Sequence, residues 1–180
     1  MMASPPMAPA WDCSTWLNSD GPLSLAAFRG RPVVAAAFQM LCPGCVEHTI
    51  PQLRKVRQLF GEHQVAVLGL HSVFEHHDGM GEASLRAFLH EYKISFPVAI
   101  DRHRLGETVP VTMQTYGFQG TPTLLLIDGA GRLRLQHFGH LPDLQLGAEI
   151  MSLIREGAPT PLVEQDDIAG ERCDLRTGTC

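Results

Sequence analysis

Two cysteines separated by two residues, Cys42-Pro43-Gly44-Cys45, are the part of this sequence best suited to chemistry. A thiolate attacks a disulfide sulfur, and a second thiol within reach resolves the mixed disulfide that results. Residues at i and i+3 share one helix face, close enough for disulfide geometry. Cys42 falls where an apolar run gives way to a helical pattern, so its sulfur is expected to face the unpaired amides of the first turn, which favour a thiolate. Cys42 is the expected nucleophile and Cys45 the resolving thiol. Pro43 suits the opening helical position, where a missing N–H costs nothing, and Gly44 keeps the substrate-facing entry free of bulk. The same spacing is half of a zinc site. Cys13, Cys173 and Cys180 have the wrong spacing to complete one, but His48 beside the pair leaves a non-enzymatic metal-binding module of Cys42, Cys45 and His48 as an alternative.

The elements that must position this pair follow from periodicity. Residues 33–38 form a short apolar run suited to a strand covered on both faces, and Val46, Ile50, Leu53, Val56 and Phe60 then recur at helical spacing up to Gly61. Residues 65–70 read as a second strand, followed by a surface loop over 71–81. Ser84 is placed to cap a helix carrying Leu85, Phe88, Leu89 and Tyr92. A third strand is expected over 96–100, then an irregular connection over 101–111. Residues 123–127 and 133–138 read as a hairpin through Asp128-Gly129-Ala130-Gly131, and Asp143 is placed to cap a last helix ending at Gly157. Turn chemistry at Asn18-Ser19-Asp20-Gly21 suggests a small N-terminal β-hairpin over 11–25. The order is βαβαβ followed by ββα, an α/β domain with a central mixed β-sheet flanked by helices. Its expected organisation is an N-terminal extension over 1–15, the domain over 16–158 and a tail over 159–180.

Composition bounds the partners. The 180 residues are 44% hydrophobic and 18% charged with a net charge of −5, enough for one core, and no Lys/Arg stripe is present to track nucleic acid. The apolar runs fall far short of the roughly 20 residues a membrane helix needs. Residues 1–11 show neither a basic start nor a continuous apolar run, so no secretory signal is read and a cytoplasmic, reducing location is expected, with reduction of partner disulfides the favoured direction. Five cysteines do not make a disulfide framework. Cys173-x6-Cys180 is a candidate auxiliary redox pair able to exchange electrons with Cys42–Cys45, and Cys13 reads as a small apolar residue. The redox-active disulfide itself is the only cofactor expected. His71, His76 and His77 beside Glu75 and Asp78 read as solvated loop residues, without the paired spacing that fixes a metal.

Three stretches together resemble the thioredoxin superfamily, in its TlpA/ResA-like branch with redoxin (AhpC/TSA-related) neighbours. They are Asp20-Gly21-Pro22-Leu23-Ser24-Leu25 through Val33-Val34, the Cys42–Cys45 motif, and Tyr116-Gly117-Phe118-Gln119-Gly120-Thr121-Pro122-Thr123 through Asp128, with Gly131 and Gly139 after it. The resemblance implies a thioredoxin-like fold and thiol–disulfide oxidoreductase activity on protein or small-thiol partners, supplied by an upstream electron donor. It implies that Pro122 is cis and faces the cysteine pair, with the Thr121 backbone aimed at the disulfide substrate. The departures are specific. Leu41 stands where many members carry Trp, leaving shielding to Trp11, Trp16 or Phe38. Ala36 stands where thioredoxins often keep a buried Asp, and Glu47 and His48 are the candidates for proton transfer to and from Cys45. Pro51 lies one residue later than the usual helix-kinking proline. A redoxin-type peroxidase is the other enzymatic reading, weakened because Gln39 occupies the position where the peroxidatic motif has a hydroxyl.

Overall fold

The short apolar runs of this chain bury themselves by pairing into one six-stranded mixed sheet. The computed structural model describes residues 4–157; Cys173, Cys180 and the tail over 159–180 lie outside the described residues. Strands β1 (Cys13–Leu17), β2 (Val33–Phe38), β3 (Ala66–His71), β4 (Val98–Asp101), β5 (Thr123–Ile127) and β6 (Leu133–Phe138) lie in the order β1-β4-β3-β2-β5-β6. β2, β3 and β4 run parallel, while β1, β5 and β6 are antiparallel to their neighbours.

β2 is central and covered on both faces, which is why it reads as unbroken apolar sequence. Val34, Ala36 and Phe38 join the core formed with helices α1 (Ile50–Leu59), α2 (Glu82–Glu91) and α4 (Asp143–Gly157). Val33, Ala35 and Ala37 pack on the opposite face with α3 (Val111–Tyr116) and a 3-10 turn over Leu25–Phe28. The edge strand β6 alternates half-buried and exposed residues instead.

The N-terminal segment supplies a strand but does not close into a hairpin. β1 pairs with β4, with Trp16 opposite Ala99. Asn18, at φ 55°, donates its side-chain amide to the carbonyls of Ile94 and Phe96 at 2.8 and 3.2 Å. The turn is thereby tied to the neighbouring segment, and the chain beyond it folds into the 3-10 turn rather than a second strand. α3 gave no periodic signal because it is only six residues long. Asp101 makes it: its buried carboxylate accepts the N–H groups of Thr112 and Met113 at 2.8 and 3.0 Å and the Ser72 hydroxyl at 2.9 Å.

Two expected caps are displaced. α2 starts at Glu82 behind Gly81, whose carbonyl receives the Leu85 N–H at 3.0 Å, so Ser84 sits in the first turn. Asp143 opens α4, but Gln52 Nε2 and Lys55 Nζ, each at 2.8 Å, take its carboxylate and pin α4 to α1. These donors, Lys55 first, hold the Asp143 carboxyl below the usual carboxylate range. Gln52 is buried and also donates to the Leu141 carbonyl at 2.7 Å. Gln52→Leu leaves that carbonyl unpaired and is expected to destabilise the fold by about 1–3 kcal/mol. Urea unfolding measures this; an unchanged midpoint contradicts it.

Candidate active site

Cys42 occupies the position that a capping Ser or Asp usually takes. The helix begins at Pro43, the Cys42 carbonyl accepts the Val46 N–H at 3.1 Å, and its sulfur accepts the Cys45 N–H at 3.3 Å. A side-chain acceptor at the cap and a backbone donor three residues on is the geometry that satisfies an orphan amide. Here the acceptor is sulfur, so the same contact that caps the helix stabilises negative charge on Cys42.

Beyond Gly44 the helix widens. The Ile50 N–H reaches the Cys45 carbonyl, five residues back, and Cys45–Thr49 form a π-turn before α1. Pro51 has no N–H to offer the carbonyl four residues before it, and its ring crowds that carbonyl, so the chain takes up one extra residue. The displaced proline seen in the sequence is absorbed in this way, and both sulfurs still share one face.

The two sulfurs lie 2.6 Å apart, with the Cys45 thiol donating to Cys42. Cys42 is partly exposed and Cys45 fully buried. Burial, then the neighbouring Cys42, pushes the Cys45 thiol up to about 12, against the Gln39 backbone and the Thr121 side chain, which pull it down. Opposite the pair, the Thr121–Pro122 peptide bond is cis, and as a thiol Cys42 donates to the Thr121 carbonyl at 3.4 Å. Gly44 lies against the Pro122 ring, 3.5 Å from where its Cβ would stand. Cys42, Pro43, Gly44, Cys45, Thr121 and Pro122 therefore meet at one end of β2.

Glu47 and His48 are not brought to Cys45. Both are exposed, and the His48 ring lies 5.2 Å from that of His140. Among the described residues no three His, Cys, Asp or Glu side chains are placed to hold a metal ion, so His48 does not complete a site with the cysteine pair. Trp11 and Trp16 stack on each other, 6.0 Å apart, against the far face of the sheet. Phe38 is buried beneath the site, and Leu41, 59% exposed, faces solvent beside Cys42. His71 belongs to β3 and is buried, apart from the exposed His76 and His77.

Sequence reasoning assigned no role to Gln39, which is 1% exposed and hydrogen-bonded to Thr121, Phe74 and Glu75. The available signal was a polar residue directly after a fully apolar strand, three positions before Cys42.

The Redoxin family profile matches residues 7–145. The chain belongs to the Redoxin family. Among solved structures, this redoxin is similar to a thioredoxin-like superfamily protein at 55% identity and TM-score 0.82, covering 85% of this chain and 99% of that one. It is 47% identical to a thiol-disulfide isomerase from Corynebacterium glutamicum, with TM-score 0.78 and coverage of 82% and 96%. A thiol:disulfide interchange protein of the thioredoxin family from Chlorobium tepidum, 18% identical with TM-score 0.64 and coverage of 86% and 99%, shares the fold. No curated protein matches the sequence. The redoxin has a thioredoxin-like fold, a mixed six-stranded sheet between helices.

Exposure and charge separate the redoxin's described thiols. Cys13 is pushed up to about 12, by burial first and then by Asp101, and Cys45 is held equally high. Iodoacetamide at neutral pH is expected to modify Cys42 at least about tenfold faster than Cys13 or Cys45, since only the thiolate reacts. Peptide mass mapping over time reads the order; equal labelling of Cys45 and Cys42 contradicts it.

Proposed function

We propose that this redoxin is a thiol–disulfide oxidoreductase acting through Cys42 and Cys45, with Pro43, Gly44, Thr121 and Pro122 forming the surface that a disulfide-bearing substrate meets. One observation carries the reading: the partly exposed Cys42 sulfur accepts the Cys45 N–H at 3.3 Å and lies 2.6 Å from the buried Cys45 sulfur. In the reducing direction the Cys42 thiolate attacks a substrate disulfide, one substrate sulfur leaves as thiolate, and Cys45 loses its proton and displaces the other. The protein disulfide Cys42–Cys45 holds the two electrons' worth of oxidation, no separate cofactor takes part, and an upstream dithiol donor restores the reduced pair. Similarity to the Corynebacterium glutamicum thiol-disulfide isomerase supports the same chemistry.

Insulin-disulfide reduction with a dithiol donor tests the proposal, run beside peroxide consumption with the same donor. Insulin turnover well above peroxide turnover is the expected result. Peroxide turnover dominating would replace the reading with a peroxidase, although no arginine hydrogen-bonds Cys42 among the described residues.

A further inference from the structure

The loop between β3 and α2 borders the face on which Cys42 lies, and Gln39, 1% exposed, ties it there. The Phe74 backbone N–H meets one terminal atom of Gln39 at 3.2 Å. A backbone N–H only donates, so that atom is the carbonyl oxygen and the other is the amide nitrogen. The nitrogen lies 3.3 Å from Thr121 Oγ1 and 3.5 Å from Glu75 Oε1. The Thr121 hydroxyl and the Glu75 carboxylate are therefore neighbours around one buried donor, and the carbonyl of the same threonine is 3.4 Å from the Cys42 sulfur. At the other end of the loop, a Cβ on Gly79 would stand 3.6 Å from Leu41 Cδ1, beside Cys42. Residues 74–79 thus run along the face where a substrate meets the nucleophile.

The lasting charge of that face has one sign. Residues 36–53, 71–81 and 116–124, which meet there, contain no lysine or arginine. Glu75 is exposed, and among the described residues it makes no ion pair. A residue one or two places from an attacked cysteine stands roughly 3–7 Å away along an extended chain, so its side chain can reach this loop. Opposite charge there draws a substrate in, and like charge repels it. We propose that Glu75 is a specificity-determining residue of the Cys42 site, selecting disulfides whose reacting cysteine is flanked by lysine or arginine, and that Gln39 positions its carboxylate. The inference deepens the dithiol reading above and rests on it.

The test uses the full chain carrying Cys173→Ser and Cys180→Ser, and three peptides. Each peptide has one cysteine joined by a disulfide to nitrothiobenzoate, and they differ only in having Lys, Gln or Glu on both sides of that cysteine. The Cys42 thiolate attacks the peptide sulfur and nitrothiobenzoate leaves as the thiolate. Cys45 then loses its proton to solvent and displaces the peptide thiolate, closing the protein disulfide. The assay is run at pH 8, above the range in which histidine ordinarily carries charge. Each kcat/KM is divided by the rate of mercaptoethanol with the same peptide, which removes the peptide's own reactivity.

The Lys peptide is expected to exceed the Glu peptide by roughly tenfold at low salt, since each exposed charge pair contributes up to about fivefold, and the ratio should shrink in 0.5 M NaCl. Glu75→Gln is expected to cut the ratio by about threefold or more and Glu75→Lys to bring it to one or below. Gln39→Met should lower it too, and Gln39→Met with Glu75→Gln should lower it no further than Glu75→Gln alone. A merely structural role for Gln39 would not move a ratio between peptides. Glu91→Gln removes the same charge from the exposed end of α2 and should leave the ratio as it is in the parent. Equal rates for the three peptides in the parent overturn the proposal. So does a ratio unchanged in Glu75→Gln, an equal shift of all three rates there, or an equal fall in Glu91→Gln. A parent chain that releases no nitrothiobenzoate from any peptide removes the dithiol reading and this inference together.

Discussion

Cys42→Ser is expected to abolish disulfide exchange, by roughly a thousandfold or more, because a hydroxyl at neutral pH supplies no nucleophile able to attack sulfur. The fold should survive, since serine is itself a good helix cap and can accept the Cys45 N–H that Cys42 now takes at 3.3 Å. Cys45→Ser should behave differently. It leaves the partly exposed Cys42 intact and removes the sulfur 2.6 Å away, so in the proposed mechanism the first attack proceeds and the product stays bound as a mixed disulfide. Mass spectrometry of the reaction with a peptide disulfide reads both outcomes: unmodified protein for Cys42→Ser, a stable adduct on Cys42 for Cys45→Ser. An adduct on Cys45 in Cys42→Ser at a rate near that of the parent would reverse the assigned roles. Burial makes that reversal hard, since the Cys45 sulfur has no open path to solvent and its thiol is held near 12.

The placing of Cys42 and Cys45 was legible because it depends on local sequence. An apolar run, a short loop and a helical repeat put the first cysteine at a cap and the second one turn on, and Pro43 fits only the opening of that helix. The π-turn was half legible: the displaced Pro51 is visible in the sequence, but the i to i−5 bond that absorbs it depends on how the whole helix docks under β2. Gln39 was hidden for a stronger reason. Its partners are Phe74, Glu75 and Thr121, 35, 36 and 82 residues away, and nothing in a linear pattern brings them together. The same holds for β1, whose turn residues suggested a local hairpin while its partner was β4, more than 80 residues on. Glu47 and His48 lie two and three residues after Cys45, yet both side chains are exposed while the Cys45 sulfur is buried, a separation that nearness in sequence does not show.

Stability should fall as the pH drops from about 6.5 to about 4, and His71 should be a main cause. The residue is 1% exposed, its ring lies 5.3 Å from that of Phe38, and among the described residues its Nε2 has no hydrogen-bond partner. Burial first, then the nearby His103, lowers its pKa from 6.5 to about 4. Between those values the unfolded chain binds a proton that the folded chain refuses, so stability rises with pH across the window and is lost on acidification. The full loss is on the order of 3 kcal/mol at 1.36 kcal/mol per unit. The carboxylates held low, Asp143 and Glu156, act below this window, because their stabilisation is lost only as pH falls beneath ordinary carboxylate values. Asp101, raised chiefly by burial, has the opposite sign and softens the lower end. His71→Phe keeps a flat ring against Phe38 and removes the titrating group, so its urea-unfolding free energy should change markedly less than the parent's between pH 6.5 and 4. Equal slopes for the two proteins would mean that His71 accepts its proton inside the fold, which its burial against Phe38 opposes.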